Sequence, residues 1–229
     1  MAKSGFDHDA LIQQFTQAST KQGTALRDAV QQATLKALQG RELTVKSIKD
    51  VLKTVTQATS SGVAASGLPA MDMEASLTRA LDGMDAALAQ AVEANRRALE
   101  QFVSQGAQLG ATPLKKALSD IEQMEDVFYS AVDKAIADAG KNVYGPWSHV
   151  IESMKGKGSV TGTSATAAVE QITAQAREAA RSGRKQMQSG AQAWMDHFAA
   201  VANGVLIGMS EGLSQGSAAA KVASRARKS

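Results

Sequence analysis

Apolar side chains recur along this chain in steps of three and four residues, the spacing that places them on one face of an α-helix, and no strand is predicted. The cleanest register runs through Leu77, Leu81, Met84, Leu88, Ala91, Asn95, Ala98 and Phe102. This alternation of fours and threes is a heptad seam, and it predicts a helix from about Asp72 to Gln105. Asn95 falls within it, where a polar group either sets register and partner number or is satisfied by a neighbouring backbone.

The same reading places a first helix from Asp7 or Asp9 to Leu38, with Ser19 and Gln22 interrupting its apolar stripe. Thr44 caps a second helix through Val45, Ile48, Leu52 and Val55, which Ser60-Ser61-Gly62 is expected to break before a hinge at Gly67-Leu68-Pro69. Thr112-Pro113 starts a fourth, carrying Leu114, Leu118, Ile121, Met124, Phe128, Val132 and Ile136 to Gly140. Tyr144-Gly145-Pro146-Trp147 reads as a turn whose rings either lock one helix onto another or anchor a partner. A short helix through Val150, Ile151 and Met154 follows, then a flexible Gly/Ser/Thr linker from Gly156 to Ser164. The last helix is expected from about Ser164 to Gly216.

These elements divide the chain into an N-terminal helical hairpin (1–68), an antiparallel helical hairpin (69–140), an aromatic turn with short helix and linker (141–163), a long C-terminal helix (164–217) and a basic tail (218–229). The fold class that follows is all-α, an elongated bundle of long amphipathic helices with coiled-coil-like packing.

Composition sharpens this picture. Only 4% of the residues are aromatic, and a core rich in alanine suits helices packed close along their lengths. The chain has no cysteine, which removes disulfides, thiolate nucleophiles and Cys-based zinc sites together. No apolar signal stretch opens the chain, so the expected location is cytoplasmic. The formal net charge is only +3, and nucleic acid is not an expected partner. Cations do gather late, at Arg177, Arg181 and Arg184, then at Lys221, Arg225, Arg227 and Lys228. They form either a solvated face or a basic stripe for an anionic surface.

Two features of the last helix invite a functional reading. Gly204, Gly208, Gly212 and Gly216 recur at a strict four-residue interval. In a helix they line one shallow groove, and each costs about 1 kcal/mol relative to alanine unless another backbone approaches. Beside them Trp194, Phe198, Val201 and Val205 form an apolar face too short to cross a bilayer but suited to lying on an apolar surface or in a bundle core.

Catalytic constellations are not found. His8, His149 and His197 stand at no spacing that would put two ligands on one helical face. Gly156-Lys157-Gly158-Ser159 lacks the spacing of a phosphate loop, and Glu122 with Asp126 reads as surface charge. No catalytic, cofactor-binding or metal-ligating residue, no cofactor and no small-molecule substrate is expected, so the chain is read as not an enzyme.

The Ala/Gln-rich amphipathic helices, the Ala-rich stretch Ala165 to Ala180 and the basic end Ala218-Ala219-Ala220-Lys221-Val222-Ala223-Ser224-Arg225-Ala226-Arg227-Lys228-Ser229 resemble the phasins, bacterial proteins that coat polyhydroxyalkanoate granules. The Thr34-Leu35-Lys36-Ala37-Leu38-Gln39-Gly40-Arg41 segment is similar to an uncharacterised family of Ala-rich helical bacterial proteins. The phasin resemblance implies a non-enzymatic protein adsorbing to a hydrophobic surface, a polyester granule or a membrane, and so peripheral to one of them. The contact residues would be Trp194, Phe198, Val201, Gly204, Val205, Gly208, Gly212 and Gly216. The alternative is a structural or signalling-type helical oligomer. In it the seam of Leu77, Leu81, Met84, Leu88, Asn95 and Phe102 joins copies of the chain, and self-association is expected.

Overall fold

Asp7 opens the first helix by accepting the Ala10 amide at 3.1 Å, and Thr44 opens another through a capping box with Ser47. The computed structural model describes residues 7–21, 23–39, 41, 43–104, 112–138, 141–181 and 201–207. The regular elements among them are all helical: α1 (His8–Ser19), α2 (Ala25–Leu38), α3 (Val45–Ala65), α4 (Ala70–Ser104), α5 (Thr112–Glu122), α6 (Met124–Ala137), α7 (Lys141–Lys157) and α8 (Val160–Arg181). Residues 201–207 are helical as well. The all-α class expected from periodicity is therefore what the chain adopts.

α4 is the axis of the arrangement and packs against α2, α3, α5, α7 and α8. The direction of its neighbours follows from named contacts. Glu74 meets His149 and Asp85 meets Thr161, so the chain from α7 to the start of α8 advances in the same direction as α4. Asp133 meets Lys155 and Glu125 meets Ser159, so α6 runs antiparallel to α7 and its end approaches the start of α8. One apolar core draws side chains from α1 through α8 and takes Leu206 from the C-terminal segment. Its largest fully buried members include Trp147, Phe15, Phe128, Leu52, Leu77 and Met84.

Several sequence expectations are corrected by this packing. The first predicted helix is two, because the chain turns between Ser19 and Ala25 with Gly23 at φ +85°, a conformation open to glycine. Ser60-Ser61-Gly62 does not break α3. Ser60 returns its hydroxyl proton to the Thr56 carbonyl at 2.8 Å, and Gly62 lies where α1 crosses, so a Cβ there would come within 2.9 Å of Phe15 Cβ. What looks like a breaker is a contact point between two helices. The fourth predicted helix is likewise divided at Gln123, the residue between α5 and α6.

Tyr144-Gly145-Pro146-Trp147 is helical rather than a turn, with Pro146 inside α7. Proline there removes the backbone bond to Asn142 only, close to the helix start, and burial of Trp147, Val150 and Ile151 on the same helix offsets that loss. Trp147 does join distant helices: its indole N–H donates to Ser60 Oγ at 2.9 Å, both groups buried. Tyr144 remains exposed. The predicted linker from Gly156 to Ser164 is also helical except for Gly158 and Ser159.

Gly83 marks the closest helix approach, since a Cβ there would collide with the Arg27 carbonyl oxygen of α2 and come within 3.2 Å of Gln31 N. Gly83→Ala is therefore expected to lower unfolding free energy by about 1–3 kcal/mol, whereas Gly204→Ala, with open space around its Cβ position, should not destabilise. Equal denaturation midpoints for the two variants would contradict the crossing. Ser60→Ala strands the buried indole N–H and is expected to cost about 1–3 kcal/mol; a stability equal to the parent's would show that this bond is idle.

Candidate functional site

The densest polar cluster in the interior gathers where α8 begins. A helix start leaves amides without intrahelical partners, and here they are met from other helices. Asp85, in the middle of α4 and only 2% exposed, accepts Val160 N–H at 2.8 Å and Thr161 N–H at 2.9 Å, one on each carboxylate oxygen. Its backbone carbonyl accepts the Thr161 hydroxyl at 3.0 Å. Ser159 Oγ caps the Gly162 amide at 2.8 Å and donates to Glu125 Oε1 at 2.5 Å, which also accepts Ser159 N–H at 3.2 Å. The Glu125 carboxylate rests where a Cβ on Gly162 would have to sit.

Negative charge at the positive end of a helix is favourable, and hydrogen bonds to a charged acceptor are the stronger kind. Both carboxylates are thus occupied by α8's own backbone and by Ser159. An open groove of about 620 Å³ adjoins them, lined by Glu125, Asp126, Tyr129, Ser130, Asp133, Lys134, Lys155 and Gly158. Within it Lys155 pairs with Asp133 at 3.2 Å and lies 5.4 Å above the Tyr129 ring. Burial pushes the Tyr129 phenol above its ordinary value, and the negative charges of Glu125 and Asp85 add to the rise. An interaction with Ser159 opposes this rise without cancelling it. On α4, Arg96 bridges Glu93 and Glu100, and its guanidinium holds the Glu93 carboxyl below the usual carboxylate range. Among the described residues no three His, Cys, Asp or Glu side chains are grouped to hold a metal ion.

Sequence-predicted residues fall into three sets. Leu77, Leu81, Met84, Leu88, Asn95 and Phe102 are all buried within this single chain. Asn95 Oδ1 has no hydrogen-bond partner among the described residues. In the C-terminal segment Val201 and Val205 are half-buried and Gly204 is exposed, while Ala202 and Leu206, not anticipated, are the residues that face inward. Arg177 and Arg181 are exposed on α8. Trp194, Phe198, Gly208, Gly212, Gly216 and Arg184 lie outside the described residues.

Sequence reasoning missed Asp85, Glu125, Ser159 and Thr161. Asp85 carried one usable signal, a charge immediately after seam position Met84 and flanked by Gly83 and Ala86-Ala87-Leu88. Gly158-Ser159 carried another, a flexible residue followed by a good N-cap, which was absorbed into the expected linker.

The fold and this cluster define an all-α protein whose best-organised interior polar group joins helices. Residues 1–215 match the model of a family of unknown function, DUF6781, and the chain belongs to that family. No curated protein and no solved structure matches it significantly. No helix among the described residues is long and apolar enough to cross a membrane.

The raised Tyr129 phenol has a pH consequence. The unfolded chain ionises this group near the ordinary value of 10.0 while the folded chain retains its proton, so the unfolded state binds fewer protons above that point and stability falls as pH rises through the window between the two values. The difference between the parent's phenolate absorbance titration and that of Tyr129→Phe should give a midpoint above 10.0. A midpoint at or below it contradicts the burial argument.

Proposed function

We propose that this chain is a non-enzymatic, phasin-like amphipathic protein that adsorbs to a hydrophobic surface through its C-terminal region, at the periphery of a polyester granule or a membrane. An elongated bundle with coiled-coil-like packing belongs to the same reading. The observation that carries it is how lightly residues 201–207 are docked. Among the described residues the buried Ala202 and Leu206, the half-buried Val205 packed against the core, and a hydrogen bond from Asn203 Nδ2 to the Arg41 carbonyl at 2.7 Å hold them. Among the described residues Asn203 Oδ1 is buried with no hydrogen-bond partner. A buried leucine contributes about 1.5–3 kcal/mol and a hydrogen bond about 1 kcal/mol, a total that an apolar surface can replace.

The remaining described surface supports exchange of contacts rather than a standing sticky patch. Its exposed large hydrophobics are Met71, Tyr144, Val160 and Ile207, and extended apolar patches are what permanent docking surfaces display. Val201, Val205 and Ile207 flank the buried pair, so a released segment would offer Val201, Ala202, Val205, Leu206 and Ile207 together. The alternative oligomer, joined through Leu77 to Phe102, would need a seam that this fold buries inside one chain.

Flotation of the purified protein with polyester particles or anionic lipid vesicles tests the proposal. Val201→Asp and Phe198→Asp are expected to lower the bound fraction several-fold while leaving helix content intact. Binding equal to the parent's rules out this surface. A fixed multimer indifferent to both particles would favour the oligomer.

A further inference from the structure

α8 is attached unlike the other long helices. Beyond Thr161, its buried residues are Ala165, Ala168, Ile172 and Ala176, with Val169 and Ala179 half-buried against the core. α3 buries Ile48, Val51, Leu52, Val55 and Val63, and α6 buries Met124, Val127, Phe128, Val132 and Ile136. Apolar stabilisation scales with buried area at about 0.8 kcal/mol per methylene. The α8 face, with Ile172 as its one large fully buried side chain, therefore contributes less apolar burial per turn than either neighbour.

α8 lies along α4 over much of its length, and its polar attachment is gathered at one end. Asp85 takes the first two amides of the helix and the Thr161 hydroxyl, and Glu125 takes both donors of Ser159. Immediately before this cluster Gly158 has φ +78°, with open space around its Cβ position. The polar contacts thus lie at a pivot, where they fix the direction of all of α8 rather than one frayed turn.

We propose that α8 is a hinged strap, pivoting at Gly158 and latched by Asp85 and Glu125, whose release uncovers the sides of α4 and α5 on which it lies. Release in this sense is a sub-global opening, in which one weakly anchored unit leaves while the better-packed helices stay. Resting on the adsorption reading, the strap also supplies its regulation. The latched chain keeps its core apolar surface covered, and the unlatched chain presents it to a polyester particle.

Hydrogen exchange of the full chain across a low-denaturant series, on the parent and on Asp85→Asn, decides the matter. In the parent, amides of Ala165, Ala168, Ile172 and Ala176 should exchange through an opening that leaves α3 and α6 protected. Asp85→Asn replaces one acceptor oxygen with a donor facing a backbone N–H. It should speed exchange in α8 roughly tenfold or more, in keeping with loss of a charged hydrogen bond, without matching change in α3. Equal protection of α8 and α3 in the parent, lost together on denaturation, overturns the strap, and this outcome does not depend on the variant folding. Flotation with polyester particles forms a separate arm in which Asp85→Asn should bind more than the parent. Faster α8 exchange with equal binding by parent and variant leaves the strap standing and removes its role in adsorption; absence of binding by both removes the adsorption reading instead.

Discussion

The contact on which the arrangement of the second half depends is a carboxylate almost wholly removed from water. Asp85 extends from the middle of α4 to the first two amides of α8. A buried charge without partners is costly, and a helix start with unmet amides inside a protein is costly too. Placing each against the other removes both costs and fixes where α8 begins. Glu125 does the same for Ser159 from the opposite side. Three segments far apart in sequence are thereby held at one point.

Around that point the packing relies on absence of side chains as much as on their presence. Gly62 lets α1 cross α3, Gly83 lets the α2 backbone approach α4, and Gly162 leaves room for the Glu125 carboxylate. Helices this close gain dispersion contacts over their length without large side chains. An alanine-rich chain forms a continuous core on these terms, with Trp147 and its bond to Ser60 supplying a large anchor between α7 and α3. The consequence is uneven anchorage. α3, α4 and α6 each bury several large residues, while α8 buries one in Ile172 and residues 201–207 one in Leu206, the rest of their inward faces being smaller.

That unevenness gives the proposed function its physical content. A protein that exchanges internal contacts for contacts with an apolar surface needs elements whose release costs less than global unfolding. Here those elements both lie late in the chain, on either side of Trp194 and Phe198 in the sequence. In the groove beside Tyr129, Asp133 is paired with Lys155 and Glu125 with Ser159, contacts that join helices.

By itself the sequence determined the helical class and the register of the α4 seam, because three-four periodicity over several turns admits one secondary structure and one buried face. It also determined the start of α3, where Thr44 is followed by an apolar stripe. Tertiary structure alone decided what its irregular residues meant. Gly62, Pro146 and the Gly158-Ser159 pair all read locally as places where a helix stops, and only the approach of α1, the burial of Trp147 and the reach of Asp85 give two of them a place inside helices and the third a turn of minimal length. Asp85 itself shows the reason. Local pattern records what a residue prefers along its own helix, whereas the partners that satisfy a buried carboxylate lie some seventy-five residues away and exist only once the helices have met.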